Sequence, residues 1–143
     1  MQTKYCVAGG FSAAVAGQNA YIELWNPATS GVDVFVRRIK IISAETAYIV
    51  KVKSHTAKQG STAISIAPIA LGGAASSVEC YGNSSAAVSG TQRGSFIISV
   101  GAEYDFLLPD PIVINPGLSL ILENTTVNLA ITSIFIQFEE VKR

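Results

Sequence analysis

The chain has 143 residues, close to the commonest size of one domain, and its ten Lys plus Arg balance ten Asp plus Glu. Zero net charge argues against a broad electrostatic grip on nucleic acid or an anionic membrane, so neither is expected as a partner. Only 14% of residues are charged, against about 25% in an average domain, while 49% are hydrophobic and the mean hydropathy is +0.40. A surface so sparsely ionised is expected to be covered in part by protein, which points to a subunit of an assembly.

Residues 1–18 read as a flexible N-terminal arm rich in Gly and Ala, with a single domain over 19–143. The weakly apolar run from Cys6 to Ala16 is not read as a signal peptide, because it includes Gly9, Gly10 and Ser12 and has no Leu or Ile. No stretch approaches the ~18 uninterrupted apolar residues of a membrane span.

From residue 20 onward the dominant period is two. Residues 20–25 alternate and stop at Asn26-Pro27, which opens a turn-rich loop to Gly31. A strand rich in Val and Ile is predicted over 32–42, a turn over Ser43 to Thr46, and an antiparallel partner over 47–54. From Thr56 to Thr91 the chain is dominated by Ala, Ser and Gly, with short strand candidates near 62–67 and 77–81. Further strands are predicted over 95–100 and 103–107. Pro109-Asp110-Pro111 then makes a rigid corner before 112–114. Asn115-Pro116-Gly117-Leu118 has the residues of a type II turn and is expected to close a hairpin. The last strands are predicted over 118–123 and 127–138. The second of these is apolar on both faces around Ile134-Phe135-Ile136, as in a strand covered on both sides.

About eight short strands with no helical crossover predict an all-β fold: an antiparallel β-sandwich of jelly-roll-like type, with little or no helix. An immunoglobulin-like sandwich fits less well, because Trp25 lies outside any Cys–Trp–Cys arrangement with Cys80.

Catalytic inventory is thin. His55 is the one histidine and reads as a solvated loop residue. Glu103 and Asp105 share a strand face but have no third ligand, so no metal and no cofactor are expected. Cys6 and Cys80 match no metal spacing and read as small buried thiols. Gly9-Gly10 and Gly72-Gly73 lack the residues of a phosphate-binding loop, and the acceptor tripeptides at Asn83 and Asn124 carry no weight in a Ser/Thr-rich chain. An enzyme is not expected.

Two surface patterns remain. With 43–46 as a hairpin turn, Arg38 lies opposite Lys51, and Arg38, Lys40, Lys51 and Lys53 share one basic face, a possible docking patch for an acidic protein surface. Trp25, Tyr81 and Tyr104 lie near strand ends or Gly-containing turns, as apolar contact residues or as stacking faces for a sugar ring.

Ile22-Glu23-Leu24-Trp25-Asn26-Pro27, followed by Ser30-Gly31 and a Val-rich strand ending Arg37-Arg38-Ile39, resembles the opening of small tailed-bacteriophage virion proteins of jelly-roll or related β-sandwich type. Pro111 to Leu120 and the closing Phe138-Glu139-Glu140 are similar to their C-terminal half. The resemblance implies a capsid decoration, or cement, protein on the outer surface of the virion. Its partners would be itself, as a homodimer or homotrimer, and the major capsid protein. The alternative is a receptor- or glycan-binding module of a phage tail or other surface appendage.

Overall fold

The computed structural model describes residues 3–42, 47–126 and 130–143, and those residues form two packed antiparallel sheets without helix. In chain order the strands are β1 (Thr3–Ser12), β2 (Asn19–Asn26), β3 (Val32–Ile42), β4 (Tyr48–His55), β5 (Ala63–Ile64), β6 (Ile66–Pro68), β7 (Glu79–Ser85), β8 (Thr91–Ile98), β9 (Glu103–Ile114), β10 (Leu118–Asn124) and β11 (Ile131–Lys142). The first sheet has the order β6-β1-β11-β3-β9 and the second β5-β7-β2-β10-β4-β8. With the short β5, β6 and β7 set aside as one insertion, the remainder is β1-β11-β3-β9 facing β2-β10-β4-β8. As in a jelly roll, strands consecutive in that remainder alternate between sheets, except β4 and β8, which pair in the second sheet.

Period-two alternation builds the core. Val34, Val36, Ile39 and Ile41 of β3 and Ile134, Ile136 and Phe138 of β11 point inward against Ile22 and Leu24 of β2 and Leu120 and Leu122 of β10. Phe96, Tyr104 and Phe106 form an aromatic cluster between the edge strands β8 and β9, with centroids 4.2–5.3 Å apart.

Three sequence expectations change. Thr3–Ser12 is not a flexible arm: it is β1, paired along its length with β11, so the sandwich begins well before residue 19. The predicted hairpin of β3 with β4 does not form. β3 pairs with β11 and β9 in one sheet, β4 with β10 and β8 in the other, and residues 43–46, where that turn was placed, lie outside the described residues. The turn at Asn115–Leu118 is present, with Gly117 at φ 84° and the Leu118 amide donating to the Asn115 carbonyl at 3.1 Å, but it joins strands of opposite sheets. A tight turn reverses the chain in either case, and its residues do not say whether the return strand pairs or packs face to face.

Asn26 secures this end of the sandwich. Fully buried, its Nδ2 donates to the carbonyls of Val32 and Ile114, both at 2.9 Å, tying the end of β2 to the start of β3 and the end of β9. Asn26→Ala strands both carbonyls and is expected to lower unfolding free energy by about 2 kcal/mol in urea denaturation. A loss below about 0.5 kcal/mol, the range of a neutral surface change, contradicts that role.

Candidate interaction surface

The two outer faces of the sandwich differ. The outer face of the β2-β10-β4-β8 sheet is roofed by its own chain, through residues 56–62 before β5 and 86–90 before β8. Val88 packs on Tyr21 and Ile121 in a second small core. The amides of Gln59 (3.0 and 3.2 Å) and Gly60 (2.8 Å) donate to the carboxylate of Glu23, which is fully buried. Gln59 and Ser89 exchange two hydrogen bonds and lock the two roof segments together. Lys53 reaches from β4 to the Val88 carbonyl (2.8 Å) and to Glu123 (2.5 Å).

The outer face of the β1-β11-β3-β9 sheet has no such roof among the described residues. One register row across it reads Tyr5, Glu139, Phe35, Val113, and the next reads Val7, Gln137, Arg38, Leu107. Leu107 is 73% exposed, Tyr5 51% and Val113 48%, with Phe35 and Phe135 half-buried beside them. Exposed apolar side chains gathered in a stripe on one sheet face are a common feature of interaction surfaces. The charges on this face are arranged in pairs: Arg38 forks onto Asp105 at 2.8 and 2.5 Å, Arg37 onto Glu139 at 3.0 and 3.4 Å, and Lys40 meets Glu103 at 2.8 Å. The fork from Arg38 holds the Asp105 carboxyl below its ordinary range, while Asp105 in turn raises Arg38. Exposed pairs of this sort add little stability, but they leave the stripe electrically neutral and spare a partner the cost of burying a lone charge.

These positions rearrange the sequence-derived candidates. Arg38 and Lys40 lie on one sheet and Lys51 and Lys53 on the other, so they do not form one basic face. The hairpin that placed them together does not exist, and Arg38, Lys40 and Lys53 are each neutralised by a carboxylate. Glu103 and Asp105 do share a face, as partners of Lys40 and Arg38. Trp25 and Tyr81 come onto neighbouring strands, in register with Glu79 and Glu23 respectively. The ring of Tyr81 is buried, with Lys58 5.0 Å from its centroid and its hydroxyl donating to Glu79. Tyr104 belongs to the aromatic cluster, apart from both. His55 ends β4 opposite Ser119. Cys6 and Cys80 are free and buried, and burial pushes the Cys80 thiol up to about 12, which keeps it protonated at neutral pH.

The residues that make the bare face, Tyr5, Phe35, Leu107, Val113 and Phe135, were not singled out from sequence. Their signal was present. Phe35, Val113 and Phe135 each stand between two inward-facing apolar residues, and an unbroken apolar run means that both faces of a strand are to be covered. For Ile134-Phe135-Ile136 that cover is expected, yet Phe135 is only half-buried by the described residues. No protein-family model matches this chain, and no curated protein or solved structure matches it either.

Proposed function

We propose that the chain is a non-enzymatic structural subunit of a virion, a capsid decoration protein that associates with its own copies and docks on the major capsid protein. The observation that carries this reading is the contrast between a sheet face roofed by the chain itself and an opposite face left bare, apolar and charge-neutral. Jelly-roll sandwiches are a recurrent architecture of capsid proteins, which supports the reading at the level of fold analogy. The mechanism is linkage: a subunit that binds only the assembled shell stabilises that shell by its binding free energy, without any reaction. For the glycan-binding alternative, Tyr81 and Tyr104 are engaged within the chain, which leaves Trp25 without a stacking partner.

Antibodies against the chain are expected to decorate the heads of the particles that carry it, and labelling confined to tails removes the proposal. At the level of residues, Leu107→Glu combined with Val113→Glu places two charges in the stripe at exposed positions. The double variant is expected to fold with its melting midpoint within a few degrees of the parent, while sedimentation with capsid shells or self-association falls at least about tenfold. Undiminished association places the contact elsewhere.

A further inference from the structure

A second feature lies between the sheets. A cavity of about 460 Å³ opens where β9 faces β4 and β10, with an apolar wall made by Val52, Ile112, Ile114, Leu118 and Leu120. Two irregularities frame it. The pairing of β9 with β3 jumps from Leu107↔Arg38 to Ile112↔Val36, so residues 108–111 leave the ladder. The pairing of β8 with β4 jumps from Gly94↔Val52 to Gln92↔Lys53, which makes Arg93 the extra residue of a bulge. Bulges re-aim side chains, and this one brings a guanidinium to the polar side of the lining, with Ser54, His55, Thr56 and Thr91, across from the apolar wall.

Arg93 Nε donates to Ser54 Oγ at 2.9 Å, while its terminal nitrogens have no partner among the described residues. Among the described residues no Asp or Glu lines the cavity; Lys53, which also lines it, is already held by Glu123, and His55 adds an imidazole ring. An apolar wall beside a guanidinium with no carboxylate partner among the described residues suits a ligand that is apolar along its length and anionic at one end. We propose that this cavity binds an alkyl carboxylate of medium chain length, its carboxylate forked by Arg93 and its chain laid against Leu118, Leu120 and Ile112. The cavity adjoins the bare sheet face at Val113, but Arg93 lies on the other sheet, so a test through Arg93 stands or falls independently of the assembly role.

The test is an NMR titration of the full chain with hexanoate, octanoate and decanoate below their micelle concentrations. Saturable shifts are expected at amides of 52–56, 112–114 and 118–120, with affinity rising about fourfold per added methylene until the cavity is filled. Arg93→Gln, at an exposed position, is expected to keep the unliganded spectrum, to weaken decanoate about tenfold or more and to leave 1-decanol unchanged; Arg93→Lys recovers part of the loss. The proposal is overturned by absent or scattered shifts, by equal binding of decanoate to the Arg93→Gln variant, by 1-decanol binding the parent as tightly as decanoate, or by preference for a peptide with an apolar C-terminal residue.

Discussion

Lys53→Met is expected to cost about 3–5 kcal/mol of folding free energy, among the largest single-residue effects in the molecule. The ion pair it breaks lies beneath the roof of the β2-β10-β4-β8 sheet, with the Lys53 and Glu123 side chains only 12% and 6% exposed. Removing the ammonium leaves the Glu123 carboxylate, among the described residues, with one long hydrogen bond from Asn19 Nδ2 at 3.4 Å, and leaves the Val88 carbonyl without its donor. The loss measures a stranded charge, not the worth of the pair, so the double variant Lys53→Met/Glu123→Leu is expected to recover most of it. Guanidinium denaturation of the parent, both single variants and the double variant closes the cycle. A double variant as unstable as Lys53→Met shows that the methylenes of Lys53 and its bond to Val88, not the charge on Glu123, hold the roof.

Gly60→Ala is expected to cost about 3 kcal/mol, because the roof comes down on the sheet where a side chain does not fit. A Cβ at residue 60 would stand 2.3 Å from the Tyr81 Cβ and 2.8 Å from its Cγ. Relief requires lifting the segment, which withdraws the Gln59 and Gly60 amides from the buried Glu23 carboxylate. Hydrogen exchange separates this from a global effect: amides 59–62 are expected to lose protection beyond what the drop in stability explains, whereas those of β11 follow the global value. A cost under about 1 kcal/mol with protection kept at residue 59 means that the roof is looser than its geometry indicates.

Much of the fold was legible because alternation survives wherever one face is buried. The predicted strand at 32–42 coincides with β3, and those at 20–25 and 118–123 differ from β2 and β10 by a residue or two. Partners were not legible. No two consecutive strands in the chain pair with each other, so every inference from a turn to a hairpin failed, at Ser43–Thr46 as at Asn115–Leu118. The basic face built from Arg38, Lys40, Lys51 and Lys53 fell with its hairpin, since assigning β3 and β4 to different sheets separates two residues from the other two. The N-terminal strand was hidden by composition: Gly9 and Gly10 suggest a loop, whereas here Gly10 lets β1 approach the Ile64 side chain, which a Cβ would meet at 2.8 Å. The buried Glu23 has no signature at all in sequence, because its partners are main-chain amides 36 and 37 positions away.

The place of β11 in the centre of its sheet, between β1 and β3, has a consequence for synthesis. Until that strand has left the ribosome, β6-β1 and β3-β9 remain two separate pairs with no strand between them, and the sheet that covers the core cannot close. Biogenesis is therefore committed late, and a nascent chain halted before residue 131 is a substrate for quality control, not a partly built sandwich.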